Sequence, residues 1–145
     1  NDHIRFTVRH NHHNLQYKGG QKEIVHLEFD VHKVYAWAKL NNRHAIITDR
    51  NAGTAFFEAW EDFDALKRLD WDAINAVVWH DCKDGKQAEF LVENTVPVSL
   101  IKRIGVMNSS VKNSVGILLE KHGLEIPVEV RSDWYRNRRS RICYR

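Results

Sequence analysis

An α+β fold is what the sequence predicts, and three observations carry that reading. Strand-like and helix-like stretches are mixed along the chain without a β-α-β rhythm. Hydrophobic residues make up 43% and charged residues 28% of the 145 positions, an ordinary globular composition on a chain long enough for one core. No internal repeat, low-complexity segment or interior linker divides it, so residues 1–145 read as a single domain. The chain also lacks a run of about eighteen apolar residues, the length a membrane span needs. Its start, Asn1-Asp2-His3-Ile4-Arg5, is too polar for a secretory signal peptide. It opens without an initiator Met, Met107 being its only methionine, so the true start is expected upstream.

Each element follows from a local pattern. Ile4 to Val8 alternates apolar and polar, as a strand does, and Asn11 to Gly20 is a polar loop closed by Gly19-Gly20. Glu23 to Asp30 reads as a strand burying Ile24, Val25, Leu27 and Phe29. Val31 to Leu40 has helical spacing, and Ala45 to Thr48 is a short strand that stops at Asp49-Arg50-Asn51. Thr54 to Trp60 reads as a helix with Phe56, Phe57 and Trp60 on its apolar face. Asp62 to Leu66 is a short turn, and Leu69-Asp70-Trp71 opens a helix through Val78. Asp81 to Lys86 is a charged turn around Gly85, followed by a strand from Gln87 to Val92. Pro97 to Arg103 starts as a short helix with Pro in its first turn, and Ile104 to Met107 is a strand. Ser110 to His122 is a helix with Gly123 as its C′ residue, and Ile126 to Val130 closes the fold.

Charge and cysteine usage bound the partners. Cys82 and Cys143 form neither a disulfide framework nor a zinc motif, which fits a reducing cytoplasm. A net charge of +3 and a pI of 8.9 are too mild to imply nucleic acid by themselves. The distribution says more: Arg131, Arg136, Arg138, Arg139, Arg141 and Arg145 crowd the C-terminus with Trp134, Tyr135 and Tyr144 interleaved. Such a tail either follows a phosphate backbone and stacks bases, or is a solvated terminus. His3, His10, His12 and His13 lack a Cys or carboxylate partner at ligand spacing, so no metal site is expected.

Two clusters carry chemistry. Glu89 lies inside Gln87-Ala88-Glu89-Phe90-Leu91-Val92, where strand alternation would put Gln87 and Glu89 on one face. A carboxylate in such an apolar stretch either sits at a pocket edge or faces water from an edge strand. Thr48-Asp49-Arg50-Asn51-Ala52 emerges abruptly from a buried strand, and reads either as a binding loop or as an Asx-type turn capping the next helix.

Several blocks, in order, resemble one family. Gly19-Gly20-Gln21-Lys22-Glu23-Ile24-Val25-His26-Leu27-Glu28 is similar to a stretch of DarT proteins. So are Ile47-Thr48-Asp49-Arg50-Asn51-Ala52, Leu69-Asp70-Trp71, the Gln87 to Val92 strand, Val96-Pro97 and Val128-Glu129-Val130-Arg131-Ser132-Asp133-Trp134-Tyr135. DarT proteins are toxins that transfer ADP-ribose from NAD+ to thymidine in single-stranded DNA. The resemblance implies an ADP-ribosyltransferase-like split β-sandwich with NAD+, as co-substrate, in the cleft between its sheets. It places the catalytic glutamate at Glu89. It places DNA contacts on the stretch from Thr48, Asp49 and Arg50 to Glu89, with Gln87 orienting substrate; Trp79 and Trp71 read either as a stacking wall for the base or as core. The partners implied are single-stranded DNA and a DarG-like, macrodomain-type antitoxin, in the cytoplasm. The family's N-terminal half has no counterpart before Gly19, so the domain is expected to be partial. An inactive remnant that binds single-stranded DNA or a protein is the alternative.

Overall fold

The fold comes from a computed structural model that describes residues 5–6, 23–76 and 84–135. In chain order its elements are β1 (Arg5–Phe6), β2 (His26–Phe29), α1 (Val31–Leu40), β3 (Ala45–Thr48), β4 (Ala59–Trp60), α2 (Trp71–Asn75), β5 (Glu89–Val92), β6 (Ile101–Val106), α3 (Ser109–Lys121) and β7 (Val128–Val130). Short 3-10 turns occupy Phe63–Arg68, Gly85–Gln87, Val98–Leu100 and Ser132–Trp134. The chain forms two compact units, residues 34–96 and the remainder, and passes between them within α1.

The first unit holds a four-stranded sheet in the order β1-β2-β6-β7. β1 and β6 run antiparallel to β2, while β7 runs parallel to β6. The parallel step is bridged by α3, so one β-α-β unit sits in an otherwise antiparallel sheet. The helix is bounded by local chemistry: the Asn108 side chain accepts the Val111 N–H at 3.0 Å, and Gly123 adopts φ 65° just beyond the last turn. Those are the boundaries the sequence suggested, to within a residue.

Burial in β2 departs from the expected set. Ile24 and Phe29 are buried, but the other buried positions are His26 and Glu28, while Val25 and Leu27 are only half-covered. The reason lies across the sheet. Glu28 stands opposite Arg103 of β6, and the Arg103 guanidinium donates to both Glu28 oxygens and, at 2.8 Å, to Glu129 of β7. A carboxylate only 1% exposed is tolerable because its charge and lone pairs are met at once. The Arg103 and Arg131 guanidinium groups both approach the Trp134 ring, 5.4 and 4.5 Å from its centre, with Arg131 held by Asp133. The Tyr135 hydroxyl donates to the Ile24 carbonyl at 2.5 Å, and the His26 ring meets the Tyr135 ring edge-on at 4.7 Å. Arg131, Trp134 and Tyr135, read as part of a nucleic-acid tail, are therefore structural components of this sheet. The arginines from Arg136 onward lie outside the described residues.

The second unit holds a three-stranded antiparallel sheet in the order β4-β3-β5. Ala45, Ile47, Thr48 and Phe90 are buried with Ala65, Leu69 and Ala73. The Asp70 side chain caps α2 by accepting the Ala73 N–H at 2.9 Å, and Lys86 closes its other end by donating to the carbonyls of Ile74 and Ala76.

Three expected boundaries moved. The helix from Thr54 to Trp60 does not form: the segment is a loop that ends in β4, with Phe56 86% exposed. Asp49 and Glu58 exchange backbone and side-chain bonds, which commits the segment to strand pairing with β3. The helix started by Pro97 stops at Leu100, because Ile101 to Arg103 pair with β2. Gln87 belongs to the 3-10 turn and not to β5, so strand alternation does not place it beside Glu89. A fourth moved as well: the helix opened at Trp71 ends at Asn75 and not at Val78, because Ala76 leaves helical backbone at φ −57°, ψ 131°. The loop from Asn11 to Gly20 falls outside the described residues.

Two outcomes check this packing. A Cβ on Gly105 would lie 2.3 Å from the Trp134 ring, so Gly105→Ala is expected to cost about 1–3 kcal/mol in urea unfolding, with a shifted Trp emission. Burial pushes the Tyr135 phenol from 10.0 up to about 12, so its protonated form is the one the fold favours. The stabilisation is complete below the ordinary tyrosine range and is lost as pH climbs through the raised value. Wild-type protein should therefore lose stability over that alkaline interval more steeply than Tyr135→Phe.

Candidate active site and comparison with known proteins

Glu89 is the first residue of β5, an edge strand, and stands directly opposite Thr48 at the end of β3. The Thr48 hydroxyl joins the two ends: it accepts the Glu89 N–H at 3.1 Å and donates to the Arg50 carbonyl at 2.6 Å. Thr48 is itself 0% exposed, so its hydroxyl is committed to this junction. The half-buried Glu89 carboxylate then reaches across and accepts the Ala52 N–H at 3.0 Å. Strand register, a buried hydroxyl and a backbone donor thus fix one carboxylate against the turn that follows β3.

That turn is held by its own polar groups. Asn51 accepts the Gly53 N–H through its side chain and the Thr54 N–H through its carbonyl, at 2.9 and 3.0 Å. It is an Asx turn, as one sequence reading had it, but no helix follows. Asp49 accepts the Glu58 N–H at 2.8 Å and both Nε and Nη2 of Arg50, each at 2.8 Å. Burial alone would raise the Asp49 carboxyl, but the Glu58 N–H and the Arg50 guanidinium outweigh it and hold the group below its usual range. Arg50 also approaches Asp84 at 3.8 Å, so its charge is met within the loop.

Glu89 is positioned from its N-terminal side by close packing. A Cβ on Gly85 would lie 3.0 Å from the Ala73 Cβ and 3.3 Å from the Asp70 Cβ, so the 3-10 turn packs tightly onto α2. Gln87 sits half-buried on this turn, its N–H bonded to the Asp84 carbonyl at 3.0 Å. The other described cations of this stretch are also engaged locally: Lys67 with Asp64 at 2.7 Å, Arg68 over the Trp60 ring, and Lys86 on α2 carbonyls. Trp71 is half-buried and donates to the Leu66 carbonyl at 2.8 Å. Trp79 lies outside the described residues, as do His3, His10, His12 and His13. Among the described residues no three His, Cys, Asp or Glu side chains group to hold a metal ion, and no helix is long and apolar enough to cross a membrane.

Sequence reading found Glu89 and the turn but not what joins them. The Ala52 N–H and the Thr48 hydroxyl have no motif of their own. The one available hint was a Thr ending an otherwise apolar strand, where a hydroxyl is available to bond a neighbouring turn.

With that geometry in view, the family of the chain is open to direct comparison. The model of the DarT family, described as ssDNA thymidine ADP-ribosyltransferase, matches residues 2–136. The chain belongs to the DarT family. The match also takes in residues 2–18, where the sequence reading found no counterpart. A DNA ADP-ribosyl transferase of Thermus aquaticus is 37% identical over 125 residues, which are 85% of this chain and 54% of that protein. The chain thus spans little more than half the length of this curated relative. Among solved structures, DarT of Thermus sp. 2.9 in complex with NAD+ matches with a TM-score of 0.76 and 27% identity, covering 92% of this chain and 72% of that one. The same protein in complex with ADP-ribosylated ssDNA gives 0.72 and 28%, covering 92% and 68%. The α+β fold inferred from the sequence is the DarT ADP-ribosyltransferase fold.

Thr48→Val tests the junction in this DarT chain. It keeps the shape but leaves the Glu89 N–H and the Arg50 carbonyl without their shared partner. A loss of about 1–3 kcal/mol in unfolding free energy is expected, with faster amide exchange at Glu89. Unchanged stability and exchange would show that the hydroxyl is dispensable.

Proposed function

We propose that this DarT chain transfers ADP-ribose from NAD+ to thymidine in single-stranded DNA, with Glu89 as the catalytic glutamate. The observation that carries the proposal is the clamp on Glu89: a half-buried carboxylate fixed by strand pairing to Thr48 and by the Ala52 N–H. Cleavage of the nicotinamide–ribose bond builds positive charge on the ribose, as in other oxocarbenium-like displacements. A carboxylate already oriented stabilises that charge without reorganising at the moment of reaction. NAD+ is the co-substrate that supplies the ADP-ribose, and the thymine of an unpaired strand accepts it, since an unstacked base is cheapest to present in single-stranded DNA.

Within this reading Thr48 positions the Glu89 backbone, Asp49 and Arg50 shape the substrate loop, and Gln87 and Trp79 are assigned to substrate and DNA binding. The family match runs through both compact units, which supports treating residues 1–145 as a single, partial transferase domain. Toxicity from DNA modification, a cytoplasmic site of action where NAD+ and DNA meet, and a macrodomain-type antitoxin belong to the same proposal.

The test is labelled NAD+ with a thymine-containing single-stranded oligonucleotide and the complete protein. Glu89→Ala is expected to lower the transfer rate by about 100- to 1000-fold while the unfolding midpoint stays near wild type. Retention of more than about a tenth of the rate would remove Glu89 from the catalytic role.

A further inference from the structure

α3 is a thirteen-residue helix on which no residue is buried. Val111, Val115 and Leu119 repeat every four positions and are half-covered, so they mark the side turned to β6 and β7. The next line round the helix is Lys112, Gly116 and Glu120, and it borders an open apolar groove completed by Leu124, Ile126 and Val128. Ile117 stands beside Gly116 on the rim and is 68% exposed. Nothing inside the chain requires a glycine at position 116. Its backbone is helical, where glycine is weaker than alanine, and an added Cβ would meet nothing within 4 Å. A glycine that neither a turn nor an internal contact demands leaves room for a backbone approaching from outside.

Charge identifies the outside chain. Lys112 and Glu120 stand four residues either side of Gly116, about 6 Å each way along the helix axis. Both are exposed, and neither is drawn into an ion pair among the described residues. Turning a second copy by a half-rotation about an axis through Gly116 sets Lys112 opposite Glu120 twice. A strand or peptide carrying one sign of charge would leave one of the two unmet. The surrounding unit carries fifteen Lys and Arg against eight Asp and Glu, so two copies repel in general and need a face on which the sign alternates.

We propose that α3 pairs with α3 of a second copy of this chain, antiparallel and crossing at Gly116. Ile117 of each copy enters the groove beside Val128 of the other, and Lys112 meets Glu120 at both ends of the contact. A helix about 20 Å long offers less than the roughly 800 Å² per partner of a standard interface, so the dimer is weak and concentration-dependent. The pairing uses no residue of the Glu89 site and does not depend on transfer of ADP-ribose.

The test is sedimentation velocity of the complete protein over a concentration series. Wild type should pass from monomer to dimer as concentration rises. Lys112→Glu and Glu120→Lys should each weaken association by about 5- to 30-fold. An equimolar mixture of those two variants should recover it, because Glu then faces Lys at both positions. Gly116→Leu should stay monomeric with an unfolding midpoint at or above wild type, since leucine favours the helix and nothing in the chain blocks it. A wild type that is monomeric throughout the series overturns the pairing, as does a mixture that associates no better than either variant alone. A monomeric wild type whose midpoint falls in Gly116→Leu would show that the protein's own chain covers the face. A monomeric wild type that loses antitoxin binding in Gly116→Leu would give the face to that partner. Either of these results also overturns the dimer.

Discussion

A single buried hydroxyl holds the candidate active site together. The Thr48 side chain bonds Glu89 in one direction and Arg50 in the other, so the start of β5 and the turn after β3 are fixed to the same atom. Remove that atom and two buried backbone groups lose their partner, the turn is released, and the Ala52 N–H no longer has a fixed place opposite the Glu89 carboxylate. The loop carrying Phe56 and Phe57 hangs from the same turn. The Glu89 carboxylate and the loop carrying Phe56 and Phe57 therefore share one anchor, and an error of an ångström at Thr48 is transmitted to both.

The other unit is organised around charge. Arg103 neutralises Glu28 and Glu129 and offers a face to Trp134, so three strands of the sheet and the 3-10 turn after β7 meet at one guanidinium. Its partners keep it charged: the Glu28 hydrogen bond raises its pKa further above the ordinary value. The Trp-Tyr pair at residues 134–135 closes this arrangement from the C-terminal side, with Gly105 as the only residue type that leaves room for the indole. Aromatic residues beside arginines invited a nucleic-acid reading in the sequence. In the structure the same pairing is internal: both guanidinium groups approach the Trp134 ring, and the Tyr135 hydroxyl donates to the Ile24 carbonyl.

The two units differ in how their polar residues are used. Among the described residues of 34–96, Arg50, Lys67, Arg68 and Lys86 are engaged by carboxylates, a ring and carbonyls, while the buried Arg43 Nε has no partner. The remainder of the chain carries the excess of basic side chains.

Some of this was legible in the residues alone. Helical spacing marked α1 and α3, Gly123 marked a C′ position, and apolar runs ending in polar ones marked β3 and the Glu89 strand. Those signals work because each is settled within a turn or a strand's own alternation. The order of the sequence blocks was enough for the family. What local pattern misread, the tertiary structure decided. Phe56, Phe57 and Trp60 have helical spacing, yet Asp49 draws Glu58 into strand pairing, and the segment stays a loop. His26 and Glu28 are buried in place of Val25 and Leu27, because Arg103 lies 75 positions further along the chain and must be paired. Glu89 was visible as a residue, but its clamp comes from Thr48 and Ala52, 41 and 37 positions away. A periodicity reports how a residue sits among its neighbours in sequence; it carries no information about donors that only folding brings within 3 Å.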